Sequence, residues 1–532
     1  MQRKTMSTIK DELIDELQRR VEDKILEPTN AELLSKLIKN ADSDNEAMMI
    51  AELGTTYKRT GLHFDKRLEK MTDDIHYFRK NNELSFHTDD NKPTHKLIIG
   101  DNYEALQNLL IQYKSKIDVI YIDPPYGKDS MGEFAKTNYQ NAITRDNLLS
   151  MLYPRLKLAK MLLSDSGVIF CSIDDKNQAY VKCLFDEVMG ESNFIATIIW
   201  ERAYAPVNLK KHFSESHDYI LCFAKKINDC VCNGLPRSAD ANERYSNPDN
   251  DPRGVWTSSD LSVGPRIESK VYEITTPSGR KVMPPSGYCW RLDKATFEKY
   301  KSENKIWFGD EGNSVPRIKR FLSEVKQSIT PMTIWKYSEV GHSQDATKIL
   351  LSIFGGEAKF QYPKSVPLIS RLVALYSKQD SVILDFFAGS GTTGHAVLEL
   401  NRSEAKEGDL LNEKTPEGNR TFILCQLNEI TDTTPNGIAY DVTSKRLKRI
   451  MTGECYDGTK DFEWIKKNKP FGGNLDVYEI DSVPNFAVKE EGKTPFDVID
   501  ETLYGQEKFE TLKEKVDWVC QNFSNTQKKL EE

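Results

Sequence analysis

Residues 381–394 read Ser-Val-Ile-Leu-Asp-Phe-Phe-Ala-Gly-Ser-Gly-Thr-Thr-Gly, and this stretch decides the fold. An apolar run ends in Asp385 and is followed by a glycine loop and a helical pattern, the order of strand, turn and helix in an α/β sheet. Glycines let the backbone approach a ligand closely, and amides at a helix N-terminus bind carboxylates. No P-loop lysine follows, and a carboxylate at the strand end suits an ammonium or hydroxyl better than a phosphate. The alternative is a tight turn that binds no ligand.

Strands and helices alternate on both sides of this loop. The apolar runs are short, and the stretches between several of them have helical periodicity. Strands that alternate with helices at this spacing imply βαβ units, so we expect an α/β fold with a parallel sheet. The other predicted strands lie at 96–101, 117–122, 167–174, 196–200, 217–225 and 421–429.

The alternation stops between 227 and 345. Gly, Pro, Ser, charged and aromatic residues dominate there, with short strand-like pieces, which indicates an inserted module. Near the N-terminus, leucines recur at helical spacing among charges. We therefore predict a helical N-terminal region, two halves of an α/β core around the insert, and a mixed C-terminal region. The boundaries are 1–92, 93–226, 227–345, 346–465 and 466–532.

A second group of candidate residues is Asp123, Pro124, Pro125 and Tyr126, directly after an apolar strand. Two consecutive prolines hold the backbone extended and remove two N–H donors. The Pro124 carbonyl and the Asp123 carboxylate therefore present acceptors to one target, and an exocyclic NH2 group has two hydrogens to donate. Such acceptors favour attack of the nitrogen on a methyl sulfonium without a metal, and the Tyr126 ring can stack on an extruded base. A rigid surface turn is the alternative.

The strand that follows the glycine-loop helix ends in an acidic residue, Glu429. An acid at this position can bind both ribose hydroxyls of a ligand that contains adenosine. Glu429 is therefore a candidate binding residue, and a plain surface acid is the alternative.

The composition is that of a globular protein. Apolar residues make up 38% of the 532 residues, and no apolar run reaches the roughly 18 residues of a membrane span. The charged N-terminus lacks the apolar stretch of a signal peptide, and the nine scattered cysteines favour reduced thiols over a zinc site. We therefore expect a cytoplasmic protein without a metal or a membrane partner. The net charge of −8 leaves nucleic acid open, because local Lys and Arg placement drives phosphate binding.

The DPPY motif at 123–126 and DFFAGSGTTGHAV at 385–397 together resemble the DNA amino-methyltransferases. The order of the two motifs, with the insert between them, resembles the β class of these enzymes. GDNYEAL (100–106), SGVIFCSIDD (166–175), SHDYILCFAK (216–225) and YPKSVPLISRL (362–372) also match. Within the insert, DPRGVW, PSGYCWRLD and FLSEVK resemble the modification subunits of type III restriction-modification systems. The resemblance covers about 96–480.

The resemblance implies a Rossmann-like methyltransferase core with an inserted target-recognition domain and a helical N-terminal region. It implies that Asp123, Pro124, Pro125 and Tyr126 bind the target amine and base. The implied cofactor is S-adenosylmethionine. Its implied binding residues are Asp101 near the adenine, Lys364 and Ser365 in the pocket wall, Glu429 at the ribose, and Asp385, Phe386, Phe387, Ala388, Gly389, Ser390, Gly391 and Thr392 along the loop.

The insert is then the expected target-recognition region. Its basic side chains are expected to contact phosphates and guanine edges, and a basic run after the strand at 196–200 is expected to contact the DNA backbone. A solvated surface charge is the alternative for each of them. The residues are Arg266, Arg280, Arg291, Arg317, Lys319 and Arg320 in the insert, and Lys210 and Lys211 before it.

The leading hypothesis is therefore a modification subunit of a type III restriction-modification system that methylates N6 of adenine in a base extruded from double-stranded DNA. DPPY is the form of the motif associated with adenine. The resemblance also implies a homodimer and a restriction subunit with helicase and nuclease activity as a partner. Cytosine-N4 methylation and an orphan adenine methyltransferase are the alternatives within this fold. An inactive DNA-recognition subunit is the alternative of another class, and loss of cofactor binding would distinguish it.

Overall fold

Two compact units make up the chain, Met1–Asp65 and Lys66–Glu532. The first unit contains helices α1 (Ile9–Glu22), α2 (Pro28–Asn40) and α3 (Asp44–Leu53), whose buried faces form a small apolar core of their own. The computed structural model describes residues 9–22, 26, 28–53, 74–126, 145–206, 210–236, 242–325, 328–357, 359–404, 418–484 and 494–523.

The second unit contains the α/β core and the insert. Its strands are β1 (Ile75–Lys80), β2 (Phe86–His87), β3 (Thr94–Ile99), β4 (Ile117–Ile122), β5 (Leu163–Ile173), β6 (Phe194–Glu201), β7 (His217–Ala224), β8 (Leu235–Pro236), β9 (Trp256–Asp260), β10 (Ser262–Val263), β11 (Ile274–Thr275), β12 (Lys281–Val282), β13 (Cys289–Trp290), β14 (Ile306–Trp307), β15 (Arg317–Phe321), β16 (Ser328–Ile329), β17 (Ile334–Trp335), β18 (Val382–Asp385), β19 (Thr421–Gln426) and β20 (Asn474–Val483).

The helices of this unit are α4 (Asn102–Tyr113), α5 (Arg145–Leu162), α6 (Gln178–Met189), α7 (Lys294–Ser302), α8 (Tyr337–Val340), α9 (Ser343–Ile353), α10 (Val366–Tyr376), α11 (Thr392–Glu404), α12 (Lys445–Thr452), α13 (Glu463–Lys467), α14 (Pro495–Val498) and α15 (Leu512–Phe523). A π-helical turn, Ala439–Ser444, leads into α12. Within the described ranges, no helix combines the length and the apolar character of a membrane span.

One 11-stranded sheet forms the centre of the fold, in the order β1-β20-β3-β19-β18-β4-β5-β7-β6-β17, with β2 beside β20. From β20 to β5 the neighbouring strands are parallel, whereas β7 is antiparallel to both β5 and β6. Apolar side chains of β3, β4, β5, β18 and β19 pack with those of α10 and α11 in the main core. The predicted α/β fold is confirmed, and its parallel part is the middle of the sheet.

The sheet brings the candidate residues to one edge, because the carboxyl ends of parallel strands lie together. Asp101 and Asp123 follow β3 and β4 closely, Asp385 ends β18, and Glu429 follows β19. β18 and β4 are neighbours in the sheet. From β18 the chain continues to β19 on one side of this pair, and from β4 it continues to β5 on the other side. Ligands of open α/β sheets bind at such a divergence.

The prediction of a helical region over 1–92 is wrong for its last part. β1 and β2 belong to the central sheet, where both pair antiparallel with β20 from the predicted C-terminal region. Ile75 lies opposite Val483, and Lys80 lies opposite Tyr478. The reason is that pairing with a strand near the other end of the chain, rather than local periodicity, makes β1 a strand.

The insert has a small core of its own. Strands β14, β15 and β9 form a three-stranded antiparallel sheet, and β10-β13 and β11-β12 form two short antiparallel pairs. Trp290, Phe297 and Phe308 are among the buried residues of this core. The chain returns to the main sheet at β17, parallel to β6, which is before the predicted boundary at 345.

Candidate active site

Asp385 is a buried carboxyl group at the start of the glycine loop. Its Oδ1 accepts the amide N–H of Phe387 at 3.0 Å, and its Oδ2 accepts the hydroxyl of Thr393. Burial raises the pKa of Asp385 to about 7; the two hydrogen bonds oppose this rise, and the charge of Asp123 adds to it. A cation bound here would offset the cost of ionising the buried carboxyl group.

Gly389 lies where a side chain is strongly disfavoured. Its φ is 51°, in the left-handed region, and a Cβ would lie 3.1 Å from the ring of Phe360. Its N–H donates to Oε1 of Gln426 at 2.6 Å, and its carbonyl accepts the hydroxyl of Thr443 at 2.6 Å. The other predicted loop residues, all buried except the half-buried Phe387, are Phe386, Phe387, Ala388, Ser390, Gly391 and Thr392.

A buried arginine, Arg446 on α12, donates hydrogen bonds to the glycine loop. Its guanidinium donates to the carbonyl of Ser390 at 3.2 Å and to the hydroxyls of Ser390 and Thr392 at 3.0 and 2.9 Å. Its other terminal nitrogen lies 3.1 Å from Nδ1 of His395. Burial lowers the pKa of Arg446 to about 9. These bonds hold the loop backbone and hydroxyls in one arrangement.

Glu429, after β19, has a buried carboxyl oxygen without a hydrogen-bond donor among the described residues. Its Oε1 accepts no hydrogen bond from the described residues, and burial raises the pKa of Glu429 to about 7. A buried acceptor without a donor is costly, so a ligand that supplies a donor gains affinity from it. The group suits a ligand with hydroxyl donors at this strand end.

Asp101 caps helix α4. Its Oδ1 accepts the N–H of Tyr103 at 2.7 Å and a guanidinium hydrogen of Arg155 at 2.9 Å. The adjacent Asn102 donates to the carbonyl of Phe386 at 2.8 Å, which ties this helix start to the glycine loop. Asp101 therefore lies beside the loop, and its predicted contact with the cofactor adenine stays a prediction.

The segment from Asp123 to Tyr126 follows β4 directly. The hydroxyl of Tyr126 donates to Oδ1 of Asp123 at 2.9 Å, and Nδ2 of Asn177 donates to the carbonyl of Tyr126 at 2.7 Å. Pro124 is buried and Pro125 is half-buried. The carboxylate and the aromatic ring are thus held side by side at the carboxyl edge of the sheet.

Lys364 contacts this segment. Its Nζ lies 3.2 Å from Oδ1 of Asp123, 2.7 Å from the hydroxyl of Tyr126 and 3.4 Å from Oδ2 of Asp218. Burial acts to lower the pKa of Lys364, but Asp123 and Asp218 raise it above its ordinary value. Ser365 is buried, and its hydroxyl donates to a backbone carbonyl. The predicted cofactor contacts of Lys364 and Ser365 stay predictions.

The two groups of candidate residues are neighbours. β4 and β18 are paired, with Val119 opposite Ile383. The charge of Asp123 contributes to the raised pKa of Asp385. Within the described ranges, no group of three or more His, Cys, Asp or Glu side chains could hold a metal ion. The arrangement can present acceptors for an amine next to a site for a small ligand that carries a cation and hydroxyls.

The prediction that Lys319 contacts DNA is wrong. Its side chain is 0% exposed and forms ion pairs with Asp249 and, at 3.2 Å, with Asp251. The ammonium also lies 5.1 and 5.8 Å from the ring centroids of Trp256 and Trp307. Lys319 is enclosed by these aspartates and tryptophans, so its charge is structural.

The remaining predicted DNA contacts lie wholly or partly at the surface. Arg266 pairs with Glu268 at 2.8 Å, and Arg317 pairs with Asp260 at 2.9 Å. A role in DNA binding stays a prediction for the whole set. The set is Lys210, Lys211, Arg266, Arg280, Arg291, Arg317 and Arg320.

Sequence reasoning missed several residues that hold the site together. Asp218 anchors Lys364, Asn177 holds the Tyr126 carbonyl, and Arg446 supports the glycine loop. An acid at the start of the apolar strand 217–224 is a signal that points to Asp218. Asn177 and Arg446 lie in ordinary polar stretches, where the sequence carries no comparable signal.

Comparison with known proteins identifies the family. Residues 117–433 of the 532 match the family described as DNA methylase. The family is named for methylation of the N6 and N4 amino groups of DNA bases. The chain belongs to the N6/N4 DNA methylase family. The matched range of this methylase contains both the Asp123 segment and the glycine loop. Residues 6–119 match a second family, described only as an uncharacterised conserved protein.

Curated relatives of this methylase include subunits of restriction-modification systems. The type III restriction-modification enzyme StyLTI Mod subunit of Salmonella typhimurium is 31% identical, over 64% of this chain and 53% of that protein. The EcoP15I Mod subunit of Escherichia coli is 26% identical, over 88% of this chain and 76% of that subunit. The type II methyltransferase M.KpnI of Klebsiella pneumoniae is 29% identical, over 70% and 89%. The chain thus spans about half the length of the Salmonella relative.

A solved structure also aligns with this methylase. It is a putative DNA modification methylase from Thermus thermophilus in complex with S-adenosyl-L-methionine, at 14% identity and a TM-score of 0.31, covering 72% of this chain and 99% of that one. The family assignment rests on the sequence matches.

Proposed function

We propose that this chain transfers a methyl group from S-adenosylmethionine to N6 of adenine in DNA. The proposal is carried by one observation: the Asp123 segment and the glycine loop lie at the ends of the paired strands β4 and β18. An amine held by the first group would therefore lie next to a methyl donor held by the second. Membership of the DNA methylase family supports this reaction class. The choice of adenine rests on Asp at position 123, the form of the motif associated with that base.

The residues present suit the cofactor. Asp385, with a pKa of about 7, would gain from the positive charge of an amino group, and the unpaired Oε1 of Glu429 would gain from ribose hydroxyls. Gly389 keeps side-chain atoms out of the way of the loop backbone. When bound, S-adenosylmethionine supplies an electrophilic methyl group on its sulfonium sulfur. Asp101, Ser365 and the rest of the loop from Phe386 to Thr392 are the further proposed pocket residues.

The target amine is held by acceptors of the Asp123 segment. Oδ1 of Asp123 is engaged by Tyr126 and Lys364, so we assign Oδ2 of Asp123 and the Pro124 carbonyl to the two amine hydrogens. A base must leave the duplex to reach this edge, and it can then stack on Tyr126, whose backbone Pro125 helps to fix. The nitrogen forms its bond to the methyl carbon while the bond from sulfur to that carbon breaks. The nitrogen then releases one proton, for which Asp123 is placed as the acceptor.

The wider role is inferred from the relatives. Two of them are Mod subunits of type III systems, so we propose a modification subunit that acts on double-stranded DNA as a homodimer, with a restriction subunit as partner, in the cytoplasm. M.KpnI matches over 89% of its length, which makes a methyltransferase without such a partner the second candidate. The exposed basic residues of the insert, with Lys210 and Lys211, are the proposed DNA contacts.

The test is nucleoside analysis of DNA methylated by the full chain. Purified protein is incubated with methyl-labelled S-adenosylmethionine and unmethylated genomic DNA, and we expect the label in N6-methyladenine. Asp123→Ala should abolish transfer while cofactor binding persists, and Asp186→Asn on the surface of α6 is the control that keeps full activity. Label in N4-methylcytosine would overturn the base assignment. Full activity of Asp123→Ala would overturn the site.

A further inference from the structure

We propose that Lys364 and Asp218 are positioning residues of the amine-acceptor site. Asp218 holds the Lys364 ammonium against Asp123 and Tyr126, so that the Asp123 carboxylate stays charged and the Tyr126 ring stays in place. The inference rests on the proposed function, because both residues act through Asp123. It departs from the expectation that Lys364 is a wall of the cofactor pocket.

The contacts of Lys364 account for its whole donor capacity. An ammonium has three hydrogens, and three oxygens surround this one: Asp123 Oδ1 at 3.2 Å, the Tyr126 hydroxyl at 2.7 Å and Asp218 Oδ2 at 3.4 Å. The ammonium also lies 5.0 and 5.6 Å from the ring centroids of Tyr126 and Trp200. The side chain is 10% exposed, so these partners define its position. Lys364 therefore serves the acceptor side of the site.

Asp218 is built to hold this ammonium. Its side chain is 7% exposed, and its two oxygens divide between two cations, Oδ1 at 2.9 Å from Nε of Arg202 and Oδ2 at Lys364. It lies on β7, which is paired with β5 on one side and β6 on the other. A carboxylate on a strand fixed from both sides gives Lys364 a rigid anchor.

Lys364 also determines the charge around Asp123. Burial raises the pKa of Asp123, and the charge of Lys364 is the largest effect that opposes this rise. Among the groups that interact most strongly with Asp123 in the described residues, Lys364 is the cation. The groups that interact with Asp123 include Tyr121 on β4, Tyr126 after it, Cys171 on β5, Asp218 on β7, Lys364 before α10 and Asp385 on β18.

Three variants separate the charge of Lys364 from its bulk. Lys364→Met keeps the stem and removes the charge; we expect kcat to fall about 10- to 100-fold, as for loss of a hydrogen bond to a charged group. The acid limb of the pH profile of kcat should move about one unit higher, because Asp123 loses its cation. Lys364→Arg should leave the acid limb in place. Asp218→Asn should lower kcat as well, because Lys364 loses the carboxylate that holds it against Asp123. If Asp218 acted only through its charge on Asp123, the limb would instead move to lower pH and the plateau value of kcat would stay unchanged.

Cofactor affinity, measured by calorimetry with S-adenosylhomocysteine, is the second readout. We expect all three variants to bind within about threefold of the unmodified chain, since the proposed contacts lie on the acceptor side. The matched control is Lys182→Met, which removes a lysine paired with Asp186 at 2.6 Å on α6 and should change neither readout. Circular dichroism verifies folding. Should Lys364→Met not fold, Asp218→Asn decides alone, because the proposal requires a fall in its kcat with cofactor affinity unchanged.

The outcomes that overturn the proposal are distinct from failure of the proposed function. A more than tenfold loss of cofactor affinity in Lys364→Met, with an unmoved acid limb, would make Lys364 a cofactor contact. An unchanged plateau value of kcat in Asp218→Asn, with the limb moved to lower pH, would remove its assigned role. Absence of methyl transfer by the unmodified chain would refute the proposed function instead. The calorimetry would still show whether Lys364 contacts the cofactor or only the acceptor site.

Discussion

Asp385 and Glu429 should make cofactor binding depend on pH between 6 and 7. Burial raises the pKa of each to about 7, and in the proposed function each binds as a carboxylate. Binding must then release the proton that each group carries. With a pKa of about 7, each group is about 90% protonated at pH 6 and about half protonated at pH 7. When the pH falls from 7 to 6, protonation of either group alone weakens cofactor binding about fivefold, and protonation of both weakens it about 30-fold.

The assay is calorimetry with S-adenosylhomocysteine in two buffers of different ionisation enthalpy. An α-amino group stays mostly protonated below pH 7, so the ligand contributes little to the proton count. At pH 6 we expect release of about 1.8 protons from the unmodified chain and about 0.9 from Glu429→Gln or Asp385→Asn. Asp186→Asn is the control that keeps the full release. Equal affinity at pH 6 and pH 7, or no proton release at pH 6, would refute ionised binding by these two groups.

Three further predictions concern stability and the glycine loop. Lys319→Met leaves the buried Asp251 and the half-buried Asp249 without their lysine, so the free energy of unfolding should fall by about 3 kcal/mol in denaturant titrations followed by tryptophan fluorescence; unchanged stability would contradict the buried ion pair. Arg446→Met removes three hydrogen bonds to the glycine loop, so the dissociation constant of S-adenosylhomocysteine should rise about tenfold, and an equal constant would count against the support role. In the cofactor-free chain the stabilising effect of protonated Asp385 is complete below its unfolded pKa of about 4 and is lost as pH rises through about 7. The Tm should therefore fall from pH 5 to pH 7 by less in Asp385→Asn than in the unmodified chain; equal slopes would contradict the raised pKa.

Local signals in the sequence were sufficient for the centre of the fold. The strand, glycine loop and helix around Asp385 and the strand before Asp123 are confirmed, because each is a short apolar run with a turn at its end. The strands β6 and β7 are confirmed for the same reason, whereas their antiparallel pairing departs from the expected parallel sheet. The strand character of β1 was not predictable, because its partner β20 lies near the other end of the chain.

The same division holds for the site. Asp123 and Tyr126 were identifiable because the two prolines between them fix the backbone and remove two N–H donors, which is a signal contained in four consecutive residues. Asp218, Asn177 and Arg446 were not, because each acts through a side chain that only the packed sheet and helices bring to its target.

Charge alone does not say where a basic residue lies. Lys319 and Arg320 are adjacent, yet the first is buried between two aspartates and the second is exposed. Successive residues of a strand face opposite sides, and which side is the interior depends on the rest of the insert. Lys364 is a similar case, since its neighbours in space come from β4 and β7.

The amino-acid order establishes the α/β class, the two groups of candidate residues and their chemistry, because turns, prolines and periodicity act over a few residues. The tertiary structure alone decides that Asp123 and Asp385 share one edge, that Lys364 contacts Asp123 and Asp218, and that Lys319 is structural. These facts depend on contacts between segments far apart in the chain. Such contacts form only when the whole sheet is assembled, so a pattern within a few residues does not predict any of them.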